Sequence, residues 1–157
     1  MDREHRYSVT VTWTGNRGRG TADHRAYERA HEIAASGKPM IAGSSDPSFC
    51  GDPARWNPEE LLVAAVSACH KLWYLALCAQ AGVVVTAYED EAAGSMVEHP
   101  DGAGEFDRVT LRPRVTIAAG SDAGKAEALH AKAHEMCFIA RSVNFAVTHE
   151  PVILVET

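Results

Sequence analysis

Two cysteines carry the clearest chemical potential in this sequence. Cys69 lies in the middle of a long apolar run, and Cys137 closes a second, shorter helical run. A cysteine thiolate is a nucleophile that can be oxidised to a sulfenic acid or a disulfide. The alternative is that Cys69 is a small buried hydrophobic residue, because free cysteine is among the most buried residue types.

A cysteine at a helix end can approach the middle of another helix, so Cys69 and Cys137 are candidates for a dithiol, although their spacing alone does not decide this. Cys78 follows Cys69 by nine residues. At about 100° per residue it lies roughly 180° around the same helix. Cys78 therefore cannot pair with Cys69, and we expect it to pack in the core.

Histidines near Cys137 offer a rival chemistry. His130, His134 and Cys137 stand at positions i, i+4 and i+7 and share one helix face. With Cys69 or His70 they would supply a tetrahedral zinc site. Solvated histidines on a surface helix are the commoner explanation, since alanines separate the two histidines and no second ligand cluster stands out.

One long helix should position Cys69. Asn57 is a good N-cap, Pro58 suits the first helical position, and Glu60 can complete a capping box. Gly82 is a fitting end. About 24 residues at 1.5 Å each give a helix of ~36 Å.

The run from Leu61 to Ala81 is apolar on nearly every face, which is typical of a helix buried all round or spanning a membrane. A membrane position would place His70 and Lys71 near mid-bilayer, which is costly. We therefore expect burial inside protein. Because 157 residues supply few other elements to cover so long a helix, its length also suggests a partner subunit.

The remaining segments predict an α+β domain over residues 1–157. The turn 15–21 should join strands in 6–13 and 27–35, and residues 36–56 read as a long loop. After the long helix, the sequence predicts a strand from 83 towards 97, a turn at 98–105, and a strand at 108–117 with Pro113 at an edge or bulge. A second helix is predicted from Ser121-Asp122 to about Met136, followed by a short helical turn within 138–142. A closing strand is predicted at 143–155, interrupted at Pro151.

Composition narrows the function class. The net charge of −6 argues against nucleic acid as a main partner, and 46% hydrophobic residues are ordinary for a globular protein. Met1 to His5 shows no signal pattern, so we expect a cytoplasmic protein. In that compartment four cysteines are not expected to form a structural disulfide framework.

Charged residues elsewhere have simple explanations when taken alone. Arg17 and Arg19 read as solvated turn residues, and Glu59 as a charge at the helix N-terminus. Glu59 precedes Cys69 by ten residues, or ~15 Å along a helix. A direct role near Cys69 would require a bend at Pro58-Glu59, or a second subunit that brings its own Glu59 across.

Together these residues resemble the OsmC/Ohr family. The resemblance rests on Trp13–Thr21 with its three glycines and two arginines, on Asn57–Leu62 followed by Ser67-Ala68-Cys69, and on Cys137. It covers nearly the whole chain in the right order. It implies an OsmC-like α+β fold, with antiparallel sheets around a long buried central helix, in an intertwined homodimer whose two active sites lie at the subunit interface.

The same resemblance implies a thiol-dependent peroxidase that reduces organic hydroperoxides in oxidative or osmotic stress defence. Cys69 matches the peroxidatic cysteine and Cys137 the resolving cysteine. Arg17 matches the family arginine, with Arg19 as the fallback, and Glu59 matches the glutamate that would hold it in a bidentate pair. An external dithiol, such as a lipoylated protein, would restore the thiols. No metal or organic cofactor is implied.

Some residues depart from the better-known branches of that family. Phe138 follows Cys137 where those branches have a proline, and His70 follows Cys69 where they have an aromatic residue. Trp73, at i+4, shares the face of Cys69. Cys50, in the loop 36–56 that could wall the pocket, offers a third thiol. Two alternatives stay open: a binding protein for a small apolar ligand, and the zinc site.

Overall fold

The computed structural model describes residues 3–157, so Met1 and Asp2, the start of the segment without a signal pattern, lie outside it. The chain is α+β, as predicted. It divides into two compact units, Met1–Leu61 and Leu62–Thr157. The prediction of one domain over residues 1–157 stays a prediction.

The first unit contains a three-stranded antiparallel sheet. Its strands are β1 (Thr10–Trp13), β2 (His31–Ala34) and β3 (Ile41–Gly43), in that order. The β1–β2 register runs from Thr10 opposite Ala34 to Trp13 opposite His31. A further bridge joins Asn16 to Tyr27 and extends the hairpin towards the glycine-rich turn. The predicted pairing of the first two strands is therefore confirmed.

The long loop predicted at residues 36–56 is wrong in part. It contains β3, where Ile41 lies opposite Ile33, and a single 3-10 turn at Pro47–Phe49. The three residues of β3 carry no alternating pattern, so the strand forms because β2 offers a free edge rather than through local propensity.

The long helix α1 spans Pro58–Ala81 without a break. The Glu60 N–H donates to Asn57 Oδ1 at 2.8 Å, and the Asn57 N–H donates to Glu60 Oε2 at 3.2 Å. This is the reciprocal capping box that the sequence predicts. At the other end Gly82 has a φ of +75°, and the Val83 N–H returns to the Cys78 carbonyl, as in a Schellman motif.

Helix α1 is long and apolar enough to cross a membrane by length and composition alone, a test that the core helix of a soluble protein also passes. The expectation that it is buried on all sides does not hold within one chain. Its fully buried residues recur every fourth position and form one stripe: Val66, His70, Tyr74 and Cys78. Leu72, on another face, is 64% exposed.

The strands of the second unit form two three-stranded sheets. The strands are β4 (Val85–Asp90), β5 (Ala93–Glu98), β6 (Gly104–Leu111), β7 (Pro113–Ile117), β8 (Ala146–His149) and β9 (Val152–Val155). One sheet has the order β4-β7-β9 and the other β5-β6-β8. The β6–β8 and β7–β9 pairs are parallel, which corrects the expectation of antiparallel sheets.

Three long strand-like stretches each cross from one sheet to the other. The stretch after α1 bends after Asp90, the next bends at Arg112, and the last bends at Glu150-Pro151. The Arg112 N–H donates to Asp90 Oδ1 at 2.7 Å, and the Glu150 N–H donates to the Leu111 carbonyl. The strand predicted from 83 towards 97 and the one at 108–117 are therefore two strands each, while the interruption at Pro151 is confirmed.

The second helix, α2, spans Ala123–Met136 and begins at the predicted cap, Asp122, whose side chain accepts the Lys125 N–H at 2.9 Å. A short 3-10 turn follows at Ala140–Ser142. The main core of the unit joins α1, α2 and the β4-β7-β9 sheet; its fully buried members are Tyr74, Cys78, Val83, Val115, Ile117, Ala126 and Ala133.

Candidate thiol site

Cys69 lies at the middle of α1 and is partly exposed. Cys78, on the opposite side of the helix, is buried in the main core. Burial raises the pKa of the Cys78 thiol, with an opposing contribution from a hydrogen bond to Tyr74. The prediction that Cys78 is a packing residue is confirmed.

Cys137 caps the C-terminus of α2 and is fully buried. Burial, followed by the neighbouring Cys69 thiol, raises the pKa of Cys137 to about 11. The Ala140 N–H donates to Cys137 Sγ at 3.4 Å. The structure thus makes Cys69 and Cys137 neighbours, which sequence spacing left open, and Cys137 is a neutral thiol near pH 7.

Two aromatic rings stand beside this thiol pair. Trp73 is one turn after Cys69 on α1, and Phe138 follows Cys137 directly. Their ring centroids are 5.5 Å apart with an interplanar angle of 84°, an edge-to-face contact. Phe138 is 64% exposed. The thiols therefore have an apolar neighbour that is open on one side.

His70 and His130 form a buried pair in the same unit. His70 Nε2 lies 3.0 Å from His130 Nδ1, and the His130 ring stacks on Tyr74 with centroids 3.8 Å apart. Burial, reinforced by neighbouring histidines, lowers the pKa of His70 to about 4 and that of His130 to about 3. Both rings are thus neutral near pH 7.

The zinc set of His130, His134 and Cys137 is not assembled. Within residues 3–157 no three ligand side chains lie close enough to hold a metal ion. The physical reason is that His130 turns into the core towards His70, while Cys137 turns to Cys69. His134 instead lies beside His149, with ring centroids 5.9 Å apart.

The candidate arginines belong to the first unit. Arg17 forms an ion pair with Glu28, and Arg19 lies 3.6 Å from Asp23. The pair between Arg17 and Glu59 stays a prediction, because the resemblance implies it in a homodimer, and within one chain Arg17 pairs with Glu28. Strand register explains the pairing with Glu28: the antiparallel bridge of Asn16 to Tyr27 sets Glu28 opposite Gly15, two residues along the hairpin from Arg17 and diagonally across from it.

Glu59 is the second residue of α1, and one of its carboxylate oxygens is buried. This atom, Oε2, has no hydrogen-bond partner among residues 3–157. A buried carboxylate oxygen without a donor is unfavourable. Its position therefore suits a donor from outside the chain.

Sequence reasoning missed Glu28, the His70–His130 pair and the contact of Phe138 with Trp73. A signal existed for the histidines, because His70 lies four residues after Val66 and four before Tyr74, on the stripe that proved to be buried. Nothing local marks Glu28, since its pairing depends on the register of β1 and β2.

Comparison with known proteins places these features in a family. The family described as "OsmC-like protein" matches residues 51–151. An OsmC-like protein of unknown function from Vibrio cholerae is 34% identical, with a TM-score of 0.85 over 95% of this chain and 100% of its own. A search of curated protein sequences finds no match.

More distant structures share the fold alone. The organic hydroperoxide resistance protein OhrB of Bacillus subtilis is 23% identical, with a TM-score of 0.64, and the match covers 93% of this chain and 98% of that protein. An organic hydroperoxide resistance protein from Legionella pneumophila is 18% identical, with a TM-score of 0.67 over 96% of this chain and 99% of its own.

Proposed function

The chain belongs to the OsmC-like family, and from this premise we propose that it is a thiol-dependent peroxidase acting on organic hydroperoxides. The observation that carries the proposal is that Cys69 and Cys137 are neighbours, one thiol partly exposed and the other buried. Neighbouring thiols can form a disulfide where the backbone allows the S–S geometry. The aromatic contact of Trp73 with Phe138 supports an apolar substrate.

The reaction we propose has three steps. The Cys69 thiolate attacks one oxygen of the hydroperoxide and breaks the O–O bond; it becomes a sulfenic acid, and the other oxygen leaves with a proton as an alcohol. The Cys137 sulfur then attacks the Cys69 sulfur, and the sulfenic hydroxyl leaves as water with the proton of Cys137. An external dithiol, such as a lipoylated protein, reduces the disulfide by two exchange steps.

The buried position of Cys137 suits it to the second step rather than the first. Because its pKa is raised to about 11, Cys137 keeps its proton near pH 7 and is a poor initial nucleophile. It is instead a neutral neighbour that can donate to the Cys69 sulfur. We accordingly assign Cys69 as the peroxidatic and Cys137 as the resolving cysteine.

Arg17 and Glu59 complete the proposed site. A guanidinium group stabilises negative charge on the attacking sulfur and on the leaving oxygen. We propose that Arg17 has this role, and that Glu59 orients the arginine. Arg17 would exchange its exposed partner Glu28 for the Glu59 carboxylate of a second copy, whose Oε2 has no donor among residues 3–157.

A homodimer is part of the proposal. The buried stripe of α1 leaves apolar surface on its other faces, including Leu72, and exposed apolar surface of this kind marks protein interfaces. We expect twice the mass of one chain in solution by light scattering. Leu72→Glu should yield monomer that keeps its circular dichroism spectrum and loses peroxidase activity. An active monomer would contradict the shared site.

Turnover tests the function directly. With dihydrolipoamide as reductant, we expect consumption of cumene hydroperoxide at a higher kcat/KM than hydrogen peroxide. A monothiol reductant at the same thiol concentration is the control and should support slower turnover, because it lacks the intramolecular second step. Stoichiometric binding of cumyl alcohol, the alcohol formed from cumene hydroperoxide, without turnover would instead favour the alternative, a binding protein for a small apolar ligand. The reaction would take place in the cytoplasm.

A further inference from the structure

A second cysteine site lies in the first unit. Cys50 is exposed and sits at the end of the 3-10 turn Pro47–Phe49, where its φ is +63°. It lines a cavity of about 290 Å³. The cavity is large enough for one arm of a small organic molecule.

The lining of this cavity is cationic. Three arginines and two carboxylates line it, which leaves one positive charge in excess. The Arg17–Glu28 pair and the Arg55–Asp52 pair, at 3.5 Å, use both carboxylates. Arg29 has no carboxylate partner within residues 3–157.

Carbonyl groups and a tyrosine ring hold Arg29 in place. Its Nη1 donates to the Tyr27 carbonyl at 2.8 Å, and its Nη2 donates to the His24 carbonyl at 2.9 Å. Its guanidinium carbon lies 4.2 Å from the centroid of the Tyr27 ring. The Arg29 charge is thus fixed at the cavity without being neutralised there.

The His24 ring connects that charge to the thiol, and a buried serine also faces the cavity. Arg29 Nη2 lies 3.1 Å from each ring nitrogen of His24, and Cys50 Sγ lies 3.6 Å from His24 Nε2. Ser44 also lines the cavity and is only 1% exposed. Its hydroxyl oxygen accepts the Asp52 N–H at 3.1 Å, but its proton has no acceptor among residues 3–157. A buried hydroxyl proton without an acceptor is unfavourable, and in a cationic cavity it can donate to an anionic ligand.

We infer that this cavity binds small disulfides that carry carboxylate groups and that Cys50 exchanges with them. The Cys50 thiolate attacks one sulfur of the disulfide; a new S–S bond forms on Cys50, the original S–S bond breaks, and the other half leaves as a thiolate that takes up a proton. No oxidant besides the disulfide is needed. The carboxylate of the retained half lies at Arg29 and accepts from Ser44. This inference uses neither Cys69 nor Cys137, and it applies to the arrangement in which Arg17 keeps Glu28 as its partner.

Reaction of the full-length protein with three disulfides tests it: glutathione disulfide (anionic), 2-hydroxyethyl disulfide (neutral) and cystamine (cationic). Adduct formation on Cys50 is followed by peptide mass spectrometry, and each rate is divided by the rate for Cys50 in the urea-unfolded chain. We expect the anionic probe to be favoured over the cationic one by at least about tenfold, and this advantage to shrink as salt increases.

Arg29→Gln should reduce the advantage of the anionic probe to about that of the unfolded chain, while Arg19→Gln, on the neighbouring turn, serves as the matched control and should keep it. If Arg29→Gln does not fold, the salt dependence of the unaltered protein decides. Equal normalised rates for the three probes, or an anionic preference that persists in high salt, would overturn the inference. Peroxide turnover is measured in parallel, so failure of one proposal is distinguishable from failure of the other.

Discussion

The two cysteine sites of this chain differ in almost every physical respect. Cys69 neighbours a second, buried thiol beside two aromatic rings. Cys50 is exposed, touches an imidazole, and faces a cavity with one unbalanced guanidinium. The aromatic rings make the first environment apolar on one side, whereas the second environment attracts negative charge.

This difference separates two kinds of thiol chemistry. A neutral, apolar hydroperoxide loses little by approaching the rings of Trp73 and Phe138 beside Cys69, and the resolving thiol is a neighbour there. A carboxylate-bearing disulfide would lose hydration against those rings, whereas it finds guanidinium donors at Cys50. We therefore expect each cysteine to be selective for the reagent that the other disfavours.

The largest effect should come from Cys69 itself. Cys69→Ser removes the nucleophile and should lower peroxide turnover by ~10³-fold or more. Cys50→Ser is the matched control, since it alters a thiol of the other unit, and it should leave turnover unchanged. Peroxide consumption with dihydrolipoamide measures both. A strong loss in Cys50→Ser would show that the two sites are not separate.

Substitutions of the two arginines in the glycine-rich turn should differ nearly as much in their effect on kcat/KM. Arg17→Ala should lower kcat/KM for cumene hydroperoxide by about 10²-fold, because it removes a positive group from the charge that develops at the sulfur and the leaving oxygen. Arg19 is exposed and lies beside Asp23, so Arg19→Ala should have little effect. If Arg19→Ala were the more damaging change, the assignment of Arg17 would be wrong.

The position of Cys69 on α1 and its proximity to Cys137 depend on different kinds of sequence information. Asn57, Pro58, Glu60 and Gly82 mark the ends of α1 through local rules, so the helix and the place of Cys69 on it could be predicted closely. The proximity of Cys137 to Cys69 could not, because it depends on how α2 returns to α1. A local pattern fixes position along a helix, but only tertiary packing decides which side chains meet.

The strands show the same limit of local sequence patterns. Strand β3 has three residues and forms at an edge of β2, so its own sequence carries no signal. Within one chain Arg17 meets Glu28 because of strand register. The long stretches that cross between sheets are each predicted as one strand, because the strand-like sequence continues through the bend. The contacts at such a bend, for example the hydrogen bond of the Arg112 N–H to Asp90, join residues far apart in sequence.

The pH dependence of the free energy of unfolding should report proton binding by the buried histidine pair. The folded chain keeps His70 and His130 neutral down to pH values of about 4 and 3, whereas the unfolded chain binds protons near 6.5. The unfolded state therefore binds more protons in this window. The free energy of unfolding is unaffected by the pair above about pH 6.5, and falls by up to about 1.4 kcal/mol per pH unit for each histidine below it.

His130→Phe removes one of these protons and keeps an aromatic ring against Tyr74. Urea unfolding at pH 7 and pH 5 should show a smaller decrease in stability for the variant than for the unaltered chain. His99→Gln, in the exposed turn between β5 and β6, is the control and should keep the full decrease. An unchanged pH slope in His130→Phe would contradict the lowered pKa values.

The smallest effect should come from the aromatic wall. Phe138→Ala removes an exposed ring from its contact with Trp73 and should raise KM for cumene hydroperoxide about fivefold, corresponding to about 1 kcal/mol. Hydrogen peroxide is the internal control, because it has no apolar group to lose contact. Equal changes for both oxidants would indicate that Phe138 supports the site's structure rather than substrate selection.

Cys69 and Cys137 are proposed to form one redox pair. The most direct test of this pairing is intact and peptide mass spectrometry of the reduced protein after one equivalent of cumene hydroperoxide. We expect a loss of two daltons that maps to a Cys69–Cys137 disulfide, with Cys50 and Cys78 still free. If Cys69 and Cys137 both remained thiols under this oxidant and under hydrogen peroxide, the peroxidase proposal would be wrong.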